Sequence, residues 1–311
     1  MWLVFAFVSA TIVGIRDFFK KIALQRSTIL LVLCLVTIFS ALLFMPFIVV
    51  SRCTDWLNDS FFYVPESSLT LHLCSLVKCA LLILCWLCSF DGIKHLPLTV
   101  SGMIAAFGPV ETVLAAMLIY GESLSVLQWI GVIVSTASLV LICRGGSDGT
   151  ASNLGNRHFW LMLLSTVFSA MAALWDKFAV GRPEDGGLGQ SVMFIQSWYN
   201  IYQAVFLTVA FLVVRHRCRN NTDGGRPSPL SAKILVGILA VSVCEVAADL
   251  LYDAALQLPG CLVSILAMVR RGSVVVSFIL GAIFLKERNI GRKTIDLAMV
   301  LLGMVLLFLG S

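Results

Sequence analysis

Apolar stretches of about twenty residues recur along the whole chain with brief polar interruptions, and each is long enough to cross the roughly 30 Å hydrocarbon core of a bilayer as a helix. Placing a span wherever that apolar character persists predicts ten of them, at approximately 2–22, 28–50, 70–90, 97–119, 124–143, 159–179, 191–214, 232–255, 259–285 and 293–310. The fold class expected is therefore all-α: a polytopic membrane protein of about ten transmembrane helices. The longest polar connections, 51–69, 144–158, 180–190 and 215–231, are too short to form a further domain. Met1 to Ala10 lacks the basic start and small-residue cleavage site of a secretory signal, so it reads as part of a retained span.

The spacing of punctuating residues divides the spans into two sets of five. Asp91 precedes Leu96-Pro97 by the interval at which Asp253 precedes Leu258-Pro259, and the two prolines lie 162 positions apart. Each proline opens an apolar helix that ends on a glutamate, Glu122 after 25 residues and Glu287 after 28, and one more apolar span follows in each copy. The expected division is a first unit over 1–144, a glycine-rich linker over 145–158 and a second unit over 159–311. Because five is odd, the second unit enters the membrane upside down, which makes the pair inverted repeats of the kind that support alternating access.

Composition narrows the class further. Residues of hydrophobic type make up 59% of the chain and charged residues only 13%, against about a quarter charged in ordinary soluble domains. The net charge of +5 is divided among short loops, so it follows membrane topology and not a nucleic-acid surface. Nearly all loop cations follow odd-numbered spans, among them Lys20, Lys21, Arg26, Lys94, Arg144, Arg215 and Arg288, which by the positive-inside rule puts both termini outside. Cys34, Cys74, Cys79, Cys85, Cys88, Cys244 and Cys261 all fall in apolar segments, where they act as small hydrophobes. Cys85 and Cys88 form a lone C-x-x-C inside a span, so no metal or redox cofactor is expected. The four histidines, His72, His95, His158 and His216, are scattered, and there is neither H-E-x-x-H nor a phosphate loop. Gly145-Gly146-Ser147-Asp148-Gly149 matches G-x-S-x-G without the strand and helix a nucleophile elbow needs. Enzymatic activity is not expected.

Charges inside the predicted spans supply the candidate chemistry. Arg270 lies eleven residues into its span, roughly 17 Å at about 1.5 Å per residue, so Arg270 and Arg271 sit near mid-bilayer. Facing lipid, the pair would cost roughly 5 to 7 kcal/mol, which turns both towards the bundle interior. Consecutive helical residues point about 100° apart, so the two arginines have different tasks. Glu245 and Asp249, four apart on one helix face, are at hand as partners. Two readings stay open: a structural ion-pair cluster, or an arginine that holds an anionic solute group in a bidentate fork. Glu111, two residues after Pro109, is expected either to line a cavity at a broken helix or to pair with Lys78. Buried carboxylates such as Glu111, Glu245 and Asp249 are candidate proton carriers. Arg16-Asp17 and Asp176-Lys177 read as snorkelling groups at helix ends, and Ser273, Ser277 and Gly281 as a ridge for close helix packing.

Two five-span units, each with a proline-started fourth span ending in glutamate, resemble EamA-type members of the drug/metabolite transporter superfamily over essentially the whole chain. The first unit carries Pro109, Glu122, Gln128 and Gly131; the second keeps Glu287 but has Val274, Lys293 and Asp296 at the other places. The resemblance implies transport without naming a cargo, and implies cytoplasmic termini, opposite to the charge rule. The function expected is secondary or facilitated transport of a small metabolite, with anionic or zwitterionic solutes favoured by the two arginines. A non-transporting scaffold or sensor is the alternative. The partners expected are the solute and the lipid bilayer of a plasma (inner) membrane, with a homodimer allowed and no nucleic acid.

Overall fold

The computed structural model describes residues 2–24, 27–54, 56–57, 60–66, 68–108, 110–111, 114, 125–144, 155–181, 187–220, 232–256, 258, 266, 269–285 and 290–310. Among these residues the regular structure is entirely helical. The helices are, in order, α1 (Trp2–Leu24), α2 (Ile29–Cys53), α3 (Leu69–His95), α4 (Leu98–Ala105), α5 (Val126–Arg144), α6 (Arg157–Val180), α7 (Val192–Asn220), α8 (Ala232–Leu256), α9 (Ser273–Phe284) and α10 (Ile290–Leu309). Six of them, α1, α2, α3, α6, α7 and α8, are long and apolar enough to cross a membrane, while α5 and α10 contain shorter apolar stretches, Val126–Ser138 and Thr294–Leu306. Of the expected spans 97–119 and 259–285, the described parts are chiefly α4 and α9. Pro109, Gly121, Glu122, Pro259, Cys261, Met268, Lys286, Glu287, Arg288, linker residues 145–154 and sequon residues Asn58, Asn221 and Thr222 lie outside the described residues.

Local chemistry sets the helix limits. Ser68 caps α3 by accepting a hydrogen bond from Leu71 N at 3.2 Å, and Pro97 supplies the extended step between α3 and α4. The last carbonyls of α3, which have no partner within the helix, are met from α1: the Lys21 ammonium donates to the carbonyls of Ile93 at 2.6 Å and Leu96 at 2.5 Å. Lys21, expected in a loop, thus lies in the last turn of α1 and ties that helix to the end of α3.

Helix packing follows a consistent scheme. α1 lies along α8 and α3 along α6; α2 packs on α7 and α8, α3 also on α7, α5 pairs with α10, and α9 contacts both α4 and α1. The largest apolar cluster joins the ends of α1 and α3 to the starts of α6 and α8 through Leu24, Trp86, Phe90, Phe159 and Ile238. A second cluster, with Phe44, Leu71, Val180 and Phe194, gathers the opposite ends of α2, α3 and α6 and the start of α7. The expected small-residue ridge does pack: a Cβ at Gly102 of α4 would stand 2.9 Å from Ser277 Oγ and 3.1 Å from Val274 Cγ2 of α9. Gly102→Val is expected to wedge α4 from α9 and destabilise the protein by about 1–3 kcal/mol, read as a lower unfolding midpoint in detergent. Gly291→Ala on α10, where a Cβ meets nothing within 4 Å, is expected to leave the midpoint unchanged or slightly raised.

Candidate functional site

One face of α8 carries Glu245, Asp249 and Asp253 at successive four-residue steps, about 6 Å of rise apart. Each meets a cation brought by a different segment. Glu245 Oε1 is 2.9 Å from Arg16 Nη1 of α1, Asp249 pairs with Arg270 just before α9, and Asp253 Oδ2 is 3.7 Å from Lys78 Nζ of α3. Further polar groups fix each step. Arg16 also holds Asp17 at 2.9 Å, and Asp17 is 3.6 Å from Lys20. Tyr199 donates its hydroxyl to Asp249 at 3.1 Å, and Tyr252 lies under the Arg270 guanidinium at 4.4 Å. Lys78 reaches Asp176 of α6 at 2.8 Å, and the Gln196 amide donates to Asp253.

These groups surround a cavity of about 170 Å³ whose wall comes from α1, α3 and α4 and from α6, α7, α8 and α9. Five basic residues, Arg16, Lys20, Lys78, Arg270 and Arg271, and five acidic ones, Asp17, Asp176, Glu245, Asp249 and Asp253, line it. Four of the cations have a carboxylate within 4 Å. Arg271 has none among the described residues. Its Nη2 donates to Ser169 Oγ at 2.9 Å, and its guanidinium lies against Gly108, where a Cβ would stand 2.7 Å from Nη2. Ser165, Thr166 and Ser169, on one side of α6, place hydroxyl-bearing residues in the same wall.

The structure redistributes several pairings read from the sequence. Asp249 does neutralise Arg270, but Glu245 serves Arg16, so Arg271 receives neither carboxylate. Lys78 does not pair with Glu111: it is buried between Asp176 and Asp253. Glu111 accepts instead from Thr166 Oγ1 at 2.8 Å, and its second oxygen is buried with no hydrogen-bond partner among the described residues. Arg16, Asp17 and Asp176 are not snorkelling groups. They face the cavity, because their helix faces and not their distance from a span end decide what they meet. Sequence reasoning missed this, and also missed Asp253, Gln196 and Tyr252 as cavity residues. A helical polar stripe on α6, Ser165, Ser169 and Asp176 at steps of four and seven, was the available signal.

Long apolar helices enclosing a polar, charge-lined cavity define an integral multi-pass membrane protein. Residues 1–144 match the model of the EamA-like transporter family, a family of membrane transporters, consistent with the drug/metabolite transporter superfamily. No curated protein matches the chain in sequence. Among solved structures, one titled "Crystal structure of protein" is similar in fold, with a TM-score of 0.61 and 14% identity over 97% of this chain and 97% of that chain. At that identity the likeness shows the fold alone.

Asp249→Asn is expected to leave Arg270 buried without a counter-charge and to destabilise the protein by about 3–5 kcal/mol. Asp249→Asn combined with Arg270→Gln should recover most of that loss, measured as thermal unfolding of the purified variants in one detergent. Strict additivity of the two single changes would contradict a direct pair.

Proposed function

We propose that the chain is a secondary or facilitated transporter that carries a small anionic or zwitterionic solute by alternating access. It is built from two inverted five-span units, residues 1–144 and 159–311, joined by the linker 145–158. The observation that carries this reading is Arg271: a cation in a cavity wall shared by both halves, held by Ser169 and Gly108 but with no carboxylate within salt-bridge distance among the described residues. A buried charge is stable when paired, and a solute carboxylate or phosphate would complete this one through a bidentate fork.

The packing scheme supports the repeat. Exchanging each helix with the one five places along turns the α1–α8 contact into α6–α3, the α2–α8 contact into α7–α3 and the α1–α9 contact into α6–α4, while α2–α7, α4–α9 and α5–α10 map onto themselves. Two halves related in this way can exchange conformations around a shared site. The cavity volume, below the roughly 300–1,000 Å³ of pockets for drug-sized ligands, suits a small metabolite.

The other end of the cavity favours a zwitterion. Lys78 is one ammonium between two carboxylates, Asp176 and Asp253, and Asp176 stands seven residues, about 10 Å, along α6 from Ser169. Formal charge is thus in excess on the acidic side there and on the basic side at Arg271, matching a solute with a cationic and an anionic end. The same cluster is a better proton carrier than Glu245 or Asp249, each of which is held by an arginine, because two carboxylates sharing one cation repel each other when both are charged.

Ligand-induced thermal stabilisation, followed by flux into proteoliposomes, tests the reading with a panel of amino acids, organic acids and phosphorylated metabolites. An anionic or zwitterionic compound should stabilise and be carried by the wild type. Arg271→Gln should weaken binding roughly 10- to 100-fold, the loss of a charge-assisted hydrogen bond of about 1.5–3 kcal/mol, with Arg271→Lys partly active. A ligand bound equally by Arg271→Gln overturns the site assignment, and absence of flux for every class favours the scaffold or sensor reading.

A further inference from the structure

Outside the cavity, a second polar cluster joins α3 to α6. Asp91 and His95 lie one turn apart at the end of α3, and His158 is the second residue of α6. One donor atom from each of the three lies within 4.8 Å of the others. His158 Nδ1 is 2.5 Å from Asp91 Oδ2, and the rings of His95 and His158 stack with centroids 3.9 Å apart and planes 17° from parallel. His95 Nδ1 is 2.9 Å from the Asp91 carbonyl oxygen. Donating a proton there leaves the lone pair on His95 Nε2, the tautomer that metal-ligating histidines adopt when the other ring nitrogen binds a backbone carbonyl.

We propose that Asp91, His95 and His158 form a site for a divalent transition-metal ion, with zinc the best-fitting class, which clasps the end of α3 to the start of α6. Two imidazoles and one carboxylate are the donor set of zinc sites with three protein ligands, the fourth position being left to water. Tetrahedral coordination at about 2.0–2.1 Å sets donors roughly 3.3 Å apart, against the 4.8 Å within which the three donors now lie, a difference of the size that turning the side chains supplies. The His95 side chain is 40% exposed and Asp91 15%, which gives an ion entry from water. The nearby Lys94 ammonium is turned away, donating to the Ser27 carbonyl at 2.8 Å. None of the three ligands lines the cavity, so the site stands or falls independently of the transport reading.

The test is titration of the full-length protein, purified in detergent on a tag without histidines, with Co²⁺ followed by its visible ligand-field absorption and with Zn²⁺ as competitor. The expected result is one saturable site per chain, weakened roughly tenfold or more by His95→Gln, His158→Gln or Asp91→Asn and unaffected by His216→Gln. His95 is the exposed member, so His95→Gln should keep the metal-free unfolding midpoint while losing the rise that Zn²⁺ gives the wild type. No saturable absorption in the wild type, or equal affinity in all three ligand variants, overturns the proposal and leaves the cluster a hydrogen-bonded clasp.

Discussion

Three carboxylates along one face of α8, each met by a cation from a different segment, hold the interior of this bundle together. A charged side chain facing hydrocarbon costs several kcal/mol, and an unpartnered one inside the protein costs no less. Arg16 of α1, Lys78 of α3 and Arg270 ahead of α9 therefore have to find Glu245, Asp253 and Asp249, and in doing so they set the register of those segments against α8. Apolar packing alone is poor at this task in a membrane, where lipid tails compete equally for apolar surface.

The same constraint separates the two adjacent arginines. The roughly 100° between consecutive helical positions directs Arg270 at Asp249 and Tyr252, and Arg271 at Ser169 and the bare backbone of Gly108. Arg270 is thereby paired within the protein, and under the transport reading proposed above Arg271 is the group left for a solute. Three of the cavity's ion pairs, Arg16 with Glu245 and Lys78 with both Asp176 and Asp253, join residues before position 144 to residues after position 159. Under the proposed alternating access, rocking of one half against the other would have to keep these pairs or exchange their partners.

The helices were legible from apolar run length, since twenty apolar residues have few other uses: the expected spans 2–22, 70–90 and 232–255 became Trp2–Leu24, Leu69–His95 and Ala232–Leu256. Arg270, Arg271 and Lys78 stood out for being charged well inside a span, and Glu245 and Asp249 as an acidic pair on one helix face. All five line the cavity, whereas Glu111, expected to line it or to pair with Lys78, is not among its lining residues. Their pairings were not legible. Lys78 looked closest to Glu111, one span later, yet α3 packs along α6, which brings Asp176 to it. Arg16 and Asp176 were misread for a related reason: a hydropathy window gives depth along the helix but not the face presented to a partner that lies across the linker in sequence. Helical spacing within the polar residues carried that second coordinate, most clearly in Ser165, Ser169 and Asp176.

Two-sided access to the cavity is the central claim, and cysteine accessibility at Ser169 measures it directly. With the ten native cysteines replaced and Ser169→Cys introduced beside Arg271, membrane-impermeant thiol reagents would be applied to right-side-out and inside-out vesicles. The expected result is labelling from both faces, slowed on both by the solute that stabilises the purified protein. Labelling confined to one face, or to neither, would contradict alternating access and return the charge ladder to a purely structural role.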